Sequence, residues 1–180
     1  MGSITLLLGG ARSGKSSYAA DLAKKCDGRV VYLATGIVCD EEMERRIEKH
    51  KNDRPDSWET IEEPLHVENI LRKLDNFVEL VLLDCMSFLV SNLLLHYQNQ
   101  GKTDSQAEEK VLAHILNLVS IAEEIETKII IVSNEVGMGV VPETPLGRLF
   151  RDVQGRANQI IAAHANEVFF LIAGLPMRLK

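Results

Sequence analysis

The chain is expected to fold as an α/β protein built on a mainly parallel sheet covered by helices on both faces, and three observations predict this. Strand-like and helix-like segments alternate from one end of the 180 residues to the other, the pattern of repeated strand–helix–strand crossovers. The first strand candidate is a near-continuous apolar run, as a strand buried on both faces requires. Directly after it comes Gly9-Gly10-Ala11-Arg12-Ser13-Gly14-Lys15-Ser16, a complete GxxxxGK[ST] phosphate-binding loop in strand–loop–helix context. The fold class is therefore P-loop NTPase-like, with one domain over residues 1–180, long enough to bury a substantial core.

Each element has its own justification. Ile4-Thr5-Leu6-Leu7-Leu8 is the buried strand, and 16–25 carries Ala19, Leu22 and Ala23 at helical spacing. Arg29-Val30-Val31-Tyr32-Leu33-Ala34 is the second strand, stopped by Thr35-Gly36. A helix is expected over 40–51, with Asp40 as N-cap, Glu41, Glu42 and Glu44 near its positive end, and Arg45, Arg46, Lys49 and Lys51 near its negative end. A short strand over 57–62 is closed by Pro64, and a helix follows over 65–74. Then come the apolar strand 80–84, a largely buried helix over 86–97, and an exposed loop over 98–104 containing Gly101. Residues 105–126 form a long amphipathic helix with Val111, Ile115, Leu118, Ala122 and Ile125 on one stripe. The β-branched run 128–133 is a strand, and 134–143 is a glycine-containing loop. Thr144-Pro145 is an N-cap followed by proline, the start of a helix running to about residue 165. Strands over 168–173 and 177–179 close the sheet.

Composition excludes several classes. The net charge is −6 and no basic block supplies a phosphate-neutralising stripe, so DNA or RNA is not the expected partner. Cys26, Cys39 and Cys85 are too few and too scattered for a disulfide framework or a metal site, and a reducing cytoplasm is the simplest setting. The chain runs into a strand without a basic leader, and no apolar run reaches about 18 residues, so neither export nor membrane spanning is expected.

The chemistry begins at the loop. Backbone N–H groups there and at the following helix start can wrap a triphosphate, Gly9 and Gly14 permit the angles and close approach, and Lys15 neutralises charge on the terminal phosphates. The Ser16 hydroxyl and Asp84, which ends an apolar strand, are the expected Mg²⁺ ligands; a helix-capping aspartate is the alternative for Asp84. Met43, Ile47 and His50 fall at i, i+4 and i+7, so the imidazole shares an inward face. Spacing alone favours a core histidine. Lys49, Lys51 and Arg54 beside it suit a polyphosphate, however, and a neutral imidazole can attack phosphorus to give a covalent intermediate. Transfer of a terminal phosphoryl group and attack at the α-phosphate with loss of pyrophosphate are both open.

A set of motifs in one order narrows the choice: 9–16, Tyr32-Leu33-Ala34-Thr35, Glu42-Met43-x-x-Arg46-Ile47-x-x-His50-x-x-x-Arg54-Pro55-x-x-Trp58-x-Thr60, Asp84-Cys85, Ser133-Asn134-Glu135-Val136-Gly137-Met138-Gly139-Val140-Val141-Pro142-Glu143, Phe150-Arg151-Asp152 and Gly155-Arg156-x-Asn158-Gln159. Together they resemble the bifunctional adenosylcobinamide kinase/adenosylcobinamide-phosphate guanylyltransferase family of cobalamin biosynthesis over nearly the whole chain. The resemblance implies that ATP or GTP phosphorylates adenosylcobinamide, and that GTP then guanylylates a histidine whose GMP passes to adenosylcobinamide phosphate. It places the guanylylated residue at His50 and nucleotide contacts at Gly9, Gly10, Ala11, Arg12, Ser13, Gly14, Lys15, Ser16, Ala34, Thr35, Gly36, Lys51, Asn52, Asp53, Arg54, Glu62 and Asp84. It also implies a homo-oligomer, trimers being the family's tendency. Lys49 precedes His50, so no adjacent histidine competes as nucleophile.

Physical reading agrees with these assignments. A carboxylate such as Glu62 can accept the N1–H and N2–H of guanine, which adenine lacks; a solvated carboxylate beside Glu63 is the competing view. Lys51 and Arg54 would stabilise departing pyrophosphate. The loop 134–143 suits a mobile cover for a large corrinoid, or is a structural turn. Arg148, Arg151 and Arg156 are open between ion pairing, phosphate binding and a subunit contact, and Tyr32 and Trp58 are expected as core or rim packing. Two other functions fit the loop: a simple small-molecule kinase that leaves His50 idle, and a nucleotide-binding regulatory switch.

Overall fold

A computed structural model describes residues 2–37, 41, 45, 48, 51 and 54–180. Its elements are β1 Ile4–Gly9, α1 Lys15–Ala23, β2 Arg29–Ala34, β3 Glu59–Glu62, α2 Val67–Lys73, β4 Val78–Asp84, α3 Met86–Asn99, α4 Asp104–Glu124, β5 Lys128–Asn134, α5 Pro145–His164, β6 Glu167–Ile172 and β7 Leu175–Arg178. The expected helix 40–51 falls largely outside the described residues; Glu41, Arg45, Glu48 and Lys51 are helical and exposed.

The seven strands form one sheet in the order β3-β2-β4-β5-β1-β6-β7. All neighbouring pairs are parallel except β6 with β7. The apolar side chains alternate between two cores, as the two-residue period of a strand demands. Leu6, Val31, Leu33, Val81, Leu83 and Ile131 face α2, α3, α4 and α5. Leu7, Tyr32, Leu80, Leu82 and Ile130 face α1. Helices on both faces are therefore observed, as expected.

β1 is the switch strand. β5 joins it on one side and β6 on the other, and crevices at the carboxyl ends of strands beside such a reversal are where α/β sheets bind ligands. The loop 10–14 opens there, with the ends of β2, β4 and β5 alongside.

Most element boundaries shift by one or two residues from expectation. The apolar strand starts at Val78 rather than 80. The helix expected to stop at 97 continues through Asn99, so the exposed connection shrinks to residues 100–103. The reason is local: Gly101, at φ 76°, ends α3, and Thr103 with Gln106 forms a reciprocal capping box that starts α4 at once. The α5 start matches its signature, with Thr144 Oγ1 accepting the Gly147 N–H at 3.1 Å and Pro145 first in the helix.

Candidate active site

The phosphate loop is shaped by two glycines that no other residue replaces without strain. Gly14 sits at φ 95°, and a Cβ there would stand 3.0 Å from the Gly174 Cα. A Cβ on Gly9 would lie 2.6 Å from both the Leu171 carbonyl oxygen and Ser13 Oγ. The β6–β7 turn thus packs directly behind the loop, and Gly174 N–H donates to the Ser13 carbonyl at 2.9 Å. Lys15, only 6% exposed, donates from Nζ to the Gly10 carbonyl at 2.5 Å and to Ser13 Oγ at 3.3 Å. Burial lowers its pKa, against the opposing pull of Cys85 and Asp84.

Register brings the acidic strand end to the same rim. Asp84 pairs with Ala34 on one side and Val132 on the other, while Gly9 pairs with Asn134. The Tyr32 hydroxyl donates to Asp84 Oδ2 at 2.9 Å. The next residue, Cys85, is buried, and that burial pushes its thiol up to about 12; it is no nucleophile at neutral pH.

Two cavities open along this rim and share Tyr32, Arg54 and Asp84. The one beside α1, about 300 Å³, is lined further by Ser16, Ser17, Asp21, Lys24 and Trp58. The other, about 400 Å³, is lined by Ala34, Gly36, Ile37, Lys51, Glu62, Pro64 and Phe88. The Arg54 guanidinium lies over the Tyr32 ring, 3.4 Å from its centroid, and Nη1 reaches Thr60 Oγ1 at 3.3 Å. Lys51 pairs with Glu62 at 2.6 Å, both about half exposed. An ion pair so exposed contributes at most about 1 kcal/mol, so a ligand displaces it at little cost.

The structure therefore gathers Ser16, Ala34, Gly36, Lys51, Arg54, Glu62 and Asp84 around connected space. His50, Asn52 and Asp53 lie outside the described residues. Gly9, Gly10, Ala11, Arg12, Ser13, Gly14 and Lys15 line neither of these cavities, and neither does Thr35. It is fully buried, and its hydroxyl donates to the Cys85 carbonyl at 2.7 Å and accepts the Cys85 N–H at 3.0 Å. Its side chain braces the turn that carries Asp84 and does not line the cavities. Asn92 extends the brace, donating from Nδ2 to the carbonyls of Thr35 and Pro64 at 2.8 and 3.1 Å.

Tyr32, Trp58 and Phe88 line cavities, a role that the sequence reading did not give them. One signal was available for Tyr32: it lies two residues before Ala34 and so on the sheet face that Ala34 and Asp84 share. The three arginines all have partners within the chain. Arg148 donates to the carbonyls of Pro142 and Glu143, tying down the end of the glycine loop. Arg151 pairs with Asp152, and Arg156 with Glu108.

At the other end of that loop, a buried network holds β5. Ser133 Oγ donates to Asn158 Oδ1 at 2.6 Å, Gln154 Nε2 donates to both, and Asn158 Nδ2 donates to the Asn134 carbonyl at 3.1 Å. Ser87 Oγ accepts the Asn134 N–H, and Glu135 N–H donates to the Gly9 carbonyl at 3.0 Å. The base of the loop is thus fixed to the phosphate loop, while Met138 and Val140 stand exposed.

A phosphate loop on the switch strand, with an acidic strand end and cavities lined by both basic and acidic side chains beside it, defines a nucleotide-using enzyme of the P-loop class. The chain belongs to the cobinamide kinase / cobinamide phosphate guanyltransferase (CobU) family, whose model matches residues 5–179. It is 41% identical to the bifunctional adenosylcobalamin biosynthesis protein CobU of Escherichia coli (strain K12), over 97% of this chain and 98% of that protein. It is 37% identical to the protein of the same name in Salmonella typhimurium, with the same coverage. It is 42% identical to the bifunctional adenosylcobalamin biosynthesis protein CobP of Pseudomonas aeruginosa, over 97% of this chain and 96% of that protein. Among the described residues, no helix is long and apolar enough to cross a membrane.

Proposed function

We propose that this enzyme acts in adenosylcobalamin biosynthesis in two steps. A nucleoside triphosphate first phosphorylates the aminopropanol hydroxyl of adenosylcobinamide. GTP then guanylylates His50, and adenosylcobinamide phosphate takes up the GMP to give adenosylcobinamide-GDP. In the second reaction an imidazole nitrogen attacks the α-phosphorus, the bond to the bridging oxygen breaks and pyrophosphate leaves. The acceptor's phosphate oxygen then attacks the same phosphorus, and the P–N bond breaks to regenerate the imidazole. The observation that carries this reading is the rim of Tyr32, Arg54 and Asp84 shared by a cavity that Ser16 of the phosphate loop lines and a cavity that Lys51 and Glu62 line.

In this reading Lys15 exchanges its contacts within the loop for phosphate oxygens, and Glu62 leaves Lys51 to accept guanine donors, a preference for GTP that adenine cannot satisfy. Lys51, so released, and Arg54 stabilise charge as pyrophosphate departs. The residues fit a divalent cation: Ser16 and Asp84 line one cavity, and the hydrogen bond that Asp84 Oδ2 accepts from Tyr32 leaves the carboxylate with acceptor capacity for a metal. Mg²⁺ held there supplies neutralisation of phosphate charge. The reading also includes a cytoplasmic setting and a homo-oligomer, for which Leu175 and Met177 on the edge strand offer exposed apolar surface.

The test is incubation with GTP labelled on the α-phosphate. Wild-type protein should retain label that acid removes and alkali does not, the behaviour of a phosphoramidate, and His50→Ala should retain none. Labelled His50→Ala removes this residue from the mechanism. Kinase turnover without labelled wild-type protein leaves a simple kinase, and neither signal leaves a regulatory switch.

A further inference from the structure

Tyr32 stands where the two cavities meet. Its ring is buried in the sheet face beneath α1, and a buried phenol hydroxyl needs a partner. The partner is Asp84. β2 and β4 run parallel with Tyr32 opposite Leu82 and Ala34 opposite Asp84, so the hydroxyl reaches forward along the rim to Oδ2 at 2.9 Å.

The face of the same ring carries Arg54, centred 3.4 Å away. Among the described residues Arg54 makes no ion pair; Nη1 touches a neutral threonine hydroxyl, and Nε is buried without a partner. An aromatic face holds a guanidinium without neutralising it. The tyrosine edge thus fixes an anion while its face holds a cation, and the two charges are kept from pairing with each other. Both remain available to the cavities they line.

We propose that Tyr32 is a positioning residue of the phosphate-transfer centre, its hydroxyl orienting Asp84 for the divalent cation and its ring holding Arg54 toward the nucleotide phosphates. This rests on the nucleotide role given to Asp84 and Arg54 above. The two contacts separate by substitution. Tyr32→Phe keeps the ring under Arg54 and removes the hydroxyl from Asp84, whereas Tyr32→Leu removes both.

The experiment titrates Mg²⁺ into protein with a fluorescent N-methylanthraniloyl GTP, and measures kinase KM and kcat at saturating Mg²⁺. Tyr32→Phe should need about tenfold more Mg²⁺ for half-maximal nucleotide binding, the order expected for one hydrogen bond to a charged group, with nucleotide KM at saturating Mg²⁺ close to wild type. Tyr32→Leu should show the same shift and also a KM raised about five- to tenfold, from the loss of a cation–π contact. A packing role alone would lower Tm and leave the Mg²⁺ midpoint in place. An unchanged midpoint in Tyr32→Phe overturns the proposal, and that variant decides it even where Tyr32→Leu does not fold. Wild-type protein whose nucleotide binding ignores Mg²⁺ would overturn both this role and the reading of the centre beneath it.

Discussion

Replacing Thr35 with valine keeps the side chain's shape and removes a hydroxyl that is buried and used twice. The consequences for the two partners differ. The Cys85 carbonyl also accepts the N–H groups of Phe88 and Leu89 at 3.2 and 3.4 Å, so it stays satisfied. The Cys85 N–H loses its acceptor in a buried turn, which costs about 1–3 kcal/mol. In a chain of this size each kcal/mol moves Tm by about 2–4 °C, so a fall of about 2–12 °C is expected. Thr35→Ser keeps both hydrogen bonds and loses one methyl, about 1 kcal/mol. Urea unfolding at unchanged m-value measures both. The sharper readout is the rise in Tm that saturating Mg-GTP produces, which tracks affinity. Valine frees the turn carrying Asp84 and should shrink that rise, while serine should leave it intact. A valine variant that loses less than about 0.5 kcal/mol, within the range of a surface change, would refute the brace. If it did so while losing nucleotide affinity, the Thr35 side chain would instead be a direct ligand contact.

Two further outcomes follow from other parts of the molecule. Gly14→Ala places a Cβ 3.0 Å from the Gly174 Cα at a φ of 95°; strain of about 1–3 kcal/mol should cut nucleotide affinity by about five- to 150-fold in a fluorescence titration, and wild-type affinity would contradict the close packing. His114 Nε2 lies 2.7 Å from Glu68 Oε2, with His66 on that carboxylate's other oxygen at 3.6 Å. Burial lowers the His114 pKa from 6.5 despite Glu68. Below pH 6.5 the unfolded chain therefore binds the proton more readily than the folded one, and stability falls as pH drops from there toward the lowered folded value. His114→Gln should flatten that part of the Tm–pH curve; parallel curves for the two proteins would count against it.

Much of this architecture is readable from residue order because its signals are local. The phosphate loop needs only its glycines, Lys15 and a flanking strand; α5 announces itself by Thr144-Pro145; Asp84 ends an unbroken apolar run. The capping box of Thr103 and Gln106 was equally local, and reading it would have shortened the loop expected over 98–104. What stayed hidden depends on which strands become neighbours. Alternation puts Tyr32 on one face of β2, but only the placement of β4 beside β2 delivers Asp84 to its hydroxyl. Thr35 resembles a rim contact in sequence because nothing local shows that the Cys85 turn lies against it. Arg54 reads as part of a basic cluster, and its position on an aromatic face is a tertiary fact. The His114–Glu68 contact likewise joins α4 to α2 across a long stretch of sequence.

The turn at Gly174 has a bearing on biosynthesis. The nucleotide cradle at 9–16 is translated before β2, β3, β4 and β5, yet the backbone that shores up Ser13 and Gly14 comes from the β6–β7 hairpin, translated after them. A nascent polypeptide on the ribosome carries the motif before it has the hairpin that supports it. A nucleoside triphosphate that binds the supported loop would therefore favour the state with the hairpin in place over the state without it.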